Sequence, residues 1–201
     1  MTASRSVLGL VLAATVCSWS PRAGADEPDT SAADAARALA RGLAEKGDAA
    51  FGMGRCDQAI PLWKEAARAF YATTIALRIA HCQALLGHVV EATATLEAMT
   101  KEPLPATAPD AFLAAQAQAL AELPSVRDRV ATLIIEEPHP RPVTAVAIDD
   151  VPLDPSKLRY PVDPGRHRVS ISTGNASWEG LLTFSDGQKR TLVTTTVLVP
   201  Q

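Results

Sequence analysis

From Ser31 to Val130 apolar residues recur at intervals of three and four, Ala predominates, and β-branched residues form almost no runs. Ala is the strongest helix former, and this spacing gathers the apolar set on one stripe of a helix, so the segment is expected to be helical. Ser31 with Asp34 three residues later makes a capping-box-like start, and the helix it opens is predicted to run to about Met53, where Gly54 stops it. Further helices are expected near 57–70, 73–87, 89–101 and 109–123. Gly87 ends the third, Pro105 and Pro109 bracket the loop before the last, and Leu123-Pro124 begins a closing turn through Arg129.

After Val130 the period falls to two, and Val, Ile and Thr become common. TLIIE, TAVAID, KLRYPV, RHRVSIST, SWEGLLTF and RTLVTTTVLV read as strands separated by Pro, Gly and Asp turns, at the spacing of a small antiparallel β-sandwich. Alternation places His167, Val169 and Ile171 on one face and Arg166, Arg168 and Ser170 on the other. In the next strand Trp178, Gly180, Leu182 and Phe184 form the inward set. Pro138, Pro140 and Pro142 at alternate positions force an extended backbone that cannot be a central strand, leaving a linker or a long loop. The expected fold is therefore α+β in two domains, 26–130 helical and 131–201 β.

The helical half carries an internal echo. GRCDQAIPLW from Gly54 and GHVVEATATL from Gly87 each read Gly, four mixed residues, Ala, three more and a large apolar residue, 33 positions apart. Such a period, built from two helices, marks a helical solenoid. Gly54, Ala59, Trp63 and Ala66 align with Gly87, Ala92, Leu96 and Met99, and Gly47 and Ala50 precede the first set where small residues let two helices approach. On these residues, from about Ala40 to Ala106, the chain resembles the tetratricopeptide repeat, with 109–123 as a capping element; Ala80 stands for Gly47 in the second unit. A plain helical bundle with a chance echo is the alternative. The resemblance implies that the first helices line a partner-binding groove, drawing Arg41, Asp48 and Phe51 from one unit and His81 and Leu85 from the next.

Val146 to Asp149, the turn and strand from Val162 to Val169, and a second turn at Asp186-Gly187 resemble the PEGA-type β-domain joined to repeats in bacterial envelope proteins. The chain departs from that pattern at Pro138 to Val143, which holds no Gly, and at Asp150, where Gly would follow Asp149. An immunoglobulin-like or transthyretin-like domain fits the same strands.

The first 25 residues have the order of a secretory signal: an early Arg5, an apolar run from Val7 to Val16, and Ala23-Gly24-Ala25 before the expected cleavage. Ser18, Ser20, Pro21 and Arg22 interrupt the run too early for a membrane span. Cys17 in ATVC resembles a lipobox, but Val16 occupies the place of a small residue, so a lipoprotein anchor is the secondary reading. A periplasmic or secreted protein is thus expected. Losing Arg5 and Arg22 from 19 basic residues leaves 17 against 22 acidic ones, a charge that argues against nucleic acid as partner.

An oxidising compartment makes Cys56 and Cys82 a candidate disulfide, since one begins the second helix of unit one and the other lies in the first helix of unit two. Closing that loop stabilises by about 3.5 kcal/mol on loop entropy. His81 and His88 lack the converging ligands of a metal site, and neither H-E-x-x-H nor paired C-x-x-C motifs occur. With no G-x-S-x-G, P-loop or dinucleotide turn, no catalytic residue and no cofactor are assigned. Asp149-Asp150 reads as a turn, and Asn175-Ala176-Ser177 as a hairpin turn in spite of its sequon form. The expectation is a non-catalytic module that binds an envelope protein or peptide. Arg159, Arg166 and Arg168 form a candidate basic β face for anionic envelope polysaccharide. The competing class is an envelope hydrolase or ligand-processing enzyme whose active site is not identified.

Overall fold

Gly54 and Gly87 both adopt left-handed backbone, φ +74° and +85°, a conformation that costs a side-chain-bearing residue more than glycine. Each lies in a short turn between two consecutive helices. The computed structural model describes residues 30–137, 142–174 and 176–194. The leader with Cys17, Pro138 and Pro140, and Asn175 lie outside the described residues. The helices are α1 (Thr30–Gly52), α2 (Cys56–Ala69), α3 (Thr73–Leu85), α4 (Val89–Lys101) and α5 (Asp110–Arg127). None is long and apolar enough to cross a membrane.

Contact between the first two helices is set by one bulky and one bare position. Trp63 is fully buried, and its indole lies against Gly47, where an added Cβ would collide with ring atoms Nε1 and Cδ1. The indole N–H is shared between Ala44 O at 3.3 Å and Asp48 Oδ1 at 3.1 Å, so the buried donor is satisfied. Ala59 and Ala66 flank Trp63 on the buried stripe of α2. In the second unit Ala80, Ala92, Leu96 and Met99 are buried at the equivalent positions. Gln83, which takes the place of Ala50, is buried with its amide donating to Glu91 at 2.7 Å and its carbonyl receiving Thr95 Oγ1 at 2.9 Å. Cys56 and Cys82 are joined as a disulfide, tying α2 to α3 across the two units.

The expected stop at Leu123 does not occur. Helix α5 continues through Pro124 to Arg127, and Asp128 N–H bonds Pro124 O at 2.9 Å. Proline removes one helical hydrogen bond, but Pro124 and Leu120, whose carbonyl loses that bond, are both exposed, so water replaces it at small cost.

The strands are β1 (Ala131–Glu136), β2 (Val143–Ile148), β3 (Val151–Leu153), β4 (Arg159–Val162), β5 (Gly165–Thr173), β6 (Ala176–Phe184) and β7 (Lys189–Val193). They form a three-stranded sheet, β4-β1-β7, and a four-stranded one, β3-β2-β5-β6. Leu133 and Ile135 from the first sheet, and Val146, Val169, Ile171, Leu182 and Phe184 from the second, meet in one apolar cluster. Two expectations change here. Strand β3 was not anticipated, because three residues containing Pro152 show no period. And the sheets are not purely antiparallel: β7 runs parallel to β1, with Leu133 opposite Arg190 and Ile135 opposite Leu192. Of RTLVTTTVLV, residues 195–199 lie outside the described range.

The β-region grips the turn between α3 and α4 from both sides. Asp163 Oδ1 accepts the Val90 N–H at 2.8 Å, supplying the N-terminal cap that His88, next to it at 3.7 Å, does not give. Arg129 donates to Ala84 O in the last turn of α3 at 3.3 Å and pairs with Asp186 at 3.0 Å, while Gly187 N–H bonds Arg129 O at 2.9 Å. An anion at a helix start and a cation at a helix end both complement the helix dipole.

The Gly47 contact yields a prediction of opposite signs. Gly47→Ala overpacks the indole and is expected to destabilise by about 1–3 kcal/mol. Gly42→Ala, a helical position with nothing within 4 Å of an added Cβ, is expected to stabilise by about 0.5–1 kcal/mol. Urea unfolding of the two oxidised variants checks both, and shifts of the same sign would contradict the packing described.

Candidate interaction surface

Residues three, four and seven apart on a helix share a face, so Arg41, Asp48 and Phe51 form one stripe of α1, and Arg78, His81 and Leu85 one stripe of α3. The structure brings the two stripes together. Arg78 donates to both oxygens of Asp48, at 2.7 and 2.8 Å, and the same carboxylate holds the Trp63 indole. On its other flank α3 reaches α5: His81 Nε2 lies 2.7 Å from Glu122 Oε2, and Gln118 donates to Glu122 Oε1 at 2.8 Å. The odd-numbered helices thus present one side laced by an ion pair and an imidazole–carboxylate hydrogen bond.

The apolar members of this side remain open. Phe51 is 46% exposed, with one face tilted onto Trp63 at 5.8 Å between ring centres. Leu85 is 72% exposed. The Asp48 carboxylate accepts from both Trp63 and Arg78, which fixes its position on this side. Arg41 is exposed on the same stripe. Sequence reasoning missed Arg78, three residues before His81 and therefore detectable by helical spacing. It also missed Glu122 and Gln118, which nothing in the periodicity distinguishes.

Arg159, Arg166 and Arg168 are divided between the two sheets. Arg166 and Arg168 lie exposed on β5, whereas Arg159 belongs to β4 in the other sheet. Arg168 sits between Asp150 at 3.7 Å and Glu179 at 3.5 Å, which cancel its charge locally.

The Asp149-Asp150 turn holds the one close carboxylate–imidazole pair of the β-region among the described residues. Both aspartates have positive φ, +49° and +65°. Asp149 uses its side chain to fix this backbone: Oδ1 accepts the Arg168 N–H at 2.9 Å and Oδ2 meets His167 Nδ1 at 2.6 Å. Burial raises the Asp149 carboxyl pKa, but the hydrogen bonds from His167 and Arg168 N–H, with their charges, outweigh it and hold the group below its ordinary value. A catalytic base needs its free nitrogen within reach of a substrate proton. His167 Nε2 is instead buried, and the ring lies edge-on to Phe184 at 6.1 Å. The pair therefore acts as a clamp on the turn. Among the described residues no group of three or more His, Cys, Asp and Glu side chains is placed to hold a metal ion.

Comparison of the chain with known protein families, with curated proteins and with solved structures yields no match.

A group with lowered pKa contributes stability above its unfolded pKa and loses it as pH falls through the folded value. The Asp149 clamp is thus fully present above about pH 4 and lost on acidification below it. Asp149→Asn removes this dependence, so the wild type is expected to melt higher than the variant at neutral pH and to converge on it in acid. Melting curves from pH 7 downward test it; a constant gap across the range would contradict the clamp.

Proposed function

We propose that the protein is a non-catalytic interaction module of the bacterial cell envelope: a short tetratricopeptide-type stack that holds a segment of a partner protein along its odd-numbered helices, joined to a small PEGA-like β-sandwich. The observation that carries the reading is the side on which Asp48–Arg78 and His81–Glu122 link α1, α3 and α5 while Phe51 and Leu85 stay exposed. Exposed large apolar residues beside an ordered charge network are characteristic of binding surfaces. The Cys56–Cys82 bridge supports an oxidising compartment, such as the periplasm or the exterior. With two units the groove is shallow, and affinity for a peptide is modest. The β-region serves as a secondary, non-protein contact to anionic envelope polysaccharide, with Arg166 as its free cationic end.

Capture from an envelope extract by the purified protein tests this. Phe51→Ala with Leu85→Ala is expected to reduce recovery of the specific partner at least about tenfold, two contact side chains of roughly 1 kcal/mol each, with the fold intact by circular dichroism. Arg166→Ser with Arg168→Ser is expected to act weakly and mainly at low salt, because exposed charges are screened. The reverse ranking would make the β-region the binder and the helices a spacer.

A further inference from the structure

Helix α5 buries Ala115, Ala119 and Leu123 against α3 and α4. Its other faces carry no charge from Ala111 to Ala121. A solvent-facing helix surface is ordinarily polar; here it consists of Ala111, Leu113, Ala114, Ala117, Leu120 and Ala121, with one Gln. Leu113 and Leu120, 45% and 63% exposed, stand two turns apart with Ala117 between them. Together with Thr100 and Gln116 they line an open hollow of about 210 Å³ beside the end of α4. Gln116 closes its floor by donating to Met99 O at 2.8 Å and Glu102 O at 2.6 Å, the last carbonyls of α4. This is the place a sixth helix would take if the alternation of helices continued. The chain instead turns away through Arg129 into the β-region.

The charges of α5 indicate what fills that place. The helix has Asp110 at its start and Arg127 at its end, and its remaining charge, Glu122, is taken up by His81 and Gln118 on the groove side. Glu102, whose carbonyl accepts from Gln116, adds a second acid in the chain between α4 and α5. A helix that is acidic at one end, basic at the other and apolar between is complementary to itself when reversed, and antiparallel alignment also sets the helix dipoles favourably. We propose that α5 is a homodimer interface, in which a second copy of this chain lays its own α5 antiparallel across the stripe about a twofold axis near Ala117. Leu113 then faces Leu120 of the second copy, and Ala117 lets the backbones approach closely. Asp110 comes opposite residues about one turn short of Arg127 of the other chain, a gap of about 6 Å that an Arg side chain spans. Arg127 engages Glu97 through Nη2 at 2.7 Å, leaving further donors of its guanidinium for this contact. A twofold contact of this kind is self-complementary by construction. Two facing helices bury less than a standard interface, so the dimer is weak and its formation depends on concentration.

Sedimentation equilibrium of the purified protein over roughly 1 µM to 1 mM tests the proposal, with circular dichroism to verify folding. A monomer–dimer equilibrium is expected. Leu113→Glu with Leu120→Glu, at exposed positions where Glu keeps helix propensity, should raise the dissociation constant at least about tenfold, and Leu113→Gln with Leu120→Gln should also raise it without adding charge. Asp110→Arg alone should weaken the dimer, and combining it with Arg127→Asp should recover most of the loss. A protein monomeric throughout, a dimer indifferent to the leucine substitutions, or a charge exchange that restores nothing overturns the assignment.

Discussion

The seat of the Trp63 indole governs the helical half, because three separate requirements meet there. Shape requires Gly47, since a Cβ at that position would occupy the ring. Polarity requires acceptors for the buried N–H, and Ala44 O and Asp48 provide them. The same Asp48 then binds Arg78 through both oxygens, so the residue that completes the first unit also aligns it with the second. Removing the carboxylate would leave the indole N–H with a single longer partner and Arg78 without its anion. The Cys56–Cys82 bridge fastens the same pair of units at the ends of α2 and α3, adding a covalent restraint to a contact that the tryptophan orients.

The β-region is attached by a related economy. Helices α3 and α4 end and begin at a tight turn, where unsatisfied backbone groups accumulate. Asp163 satisfies the Val90 N–H, and Arg129 adds a donor to Ala84 O, which also accepts the Gly87 N–H, so the attachment engages both helix ends. This leaves the stripe bearing Arg78 and His81, and the outer flank of α5, clear of those contacts. One chain therefore keeps two distinct surfaces.

Much of this was legible in the sequence where a local rule operates. Gly54 and Gly87 mark turns because positive φ favours glycine, Gly47 and Trp63 follow from small-against-large packing, and the two cysteines lie at adjoining helix ends. Alternation gave the inward sets of β5 and β6. Features that depend on a distant partner stayed hidden. Alternation does not encode strand direction, so the parallel pairing of β7 with β1 was invisible, and Arg159 could not be separated from Arg166 and Arg168 without knowing that two sheets divide them. Pro124 looked like a helix stop because the sequence does not reveal that Leu120 and Pro124 are both exposed. Asp163 as a cap for α4 and Glu122 as the partner of His81 are tertiary contacts, spanning 73 and 41 residues.

Asp48 shows how one side chain can serve the packing of a helix pair and its surface at once. Its carboxylate is bonded to Trp63 and Arg78, while Phe51 and Leu85 on the α1 and α3 stripes stay exposed and carry the proposed contact. The most direct measurement is site-specific photocrosslinking in living cells, with a photoreactive amino acid in place of Leu85 in one variant and of Arg166 in another. The account predicts a discrete covalent adduct with an envelope protein from position 85 and none from position 166. An adduct from 166 with none from 85 would contradict it.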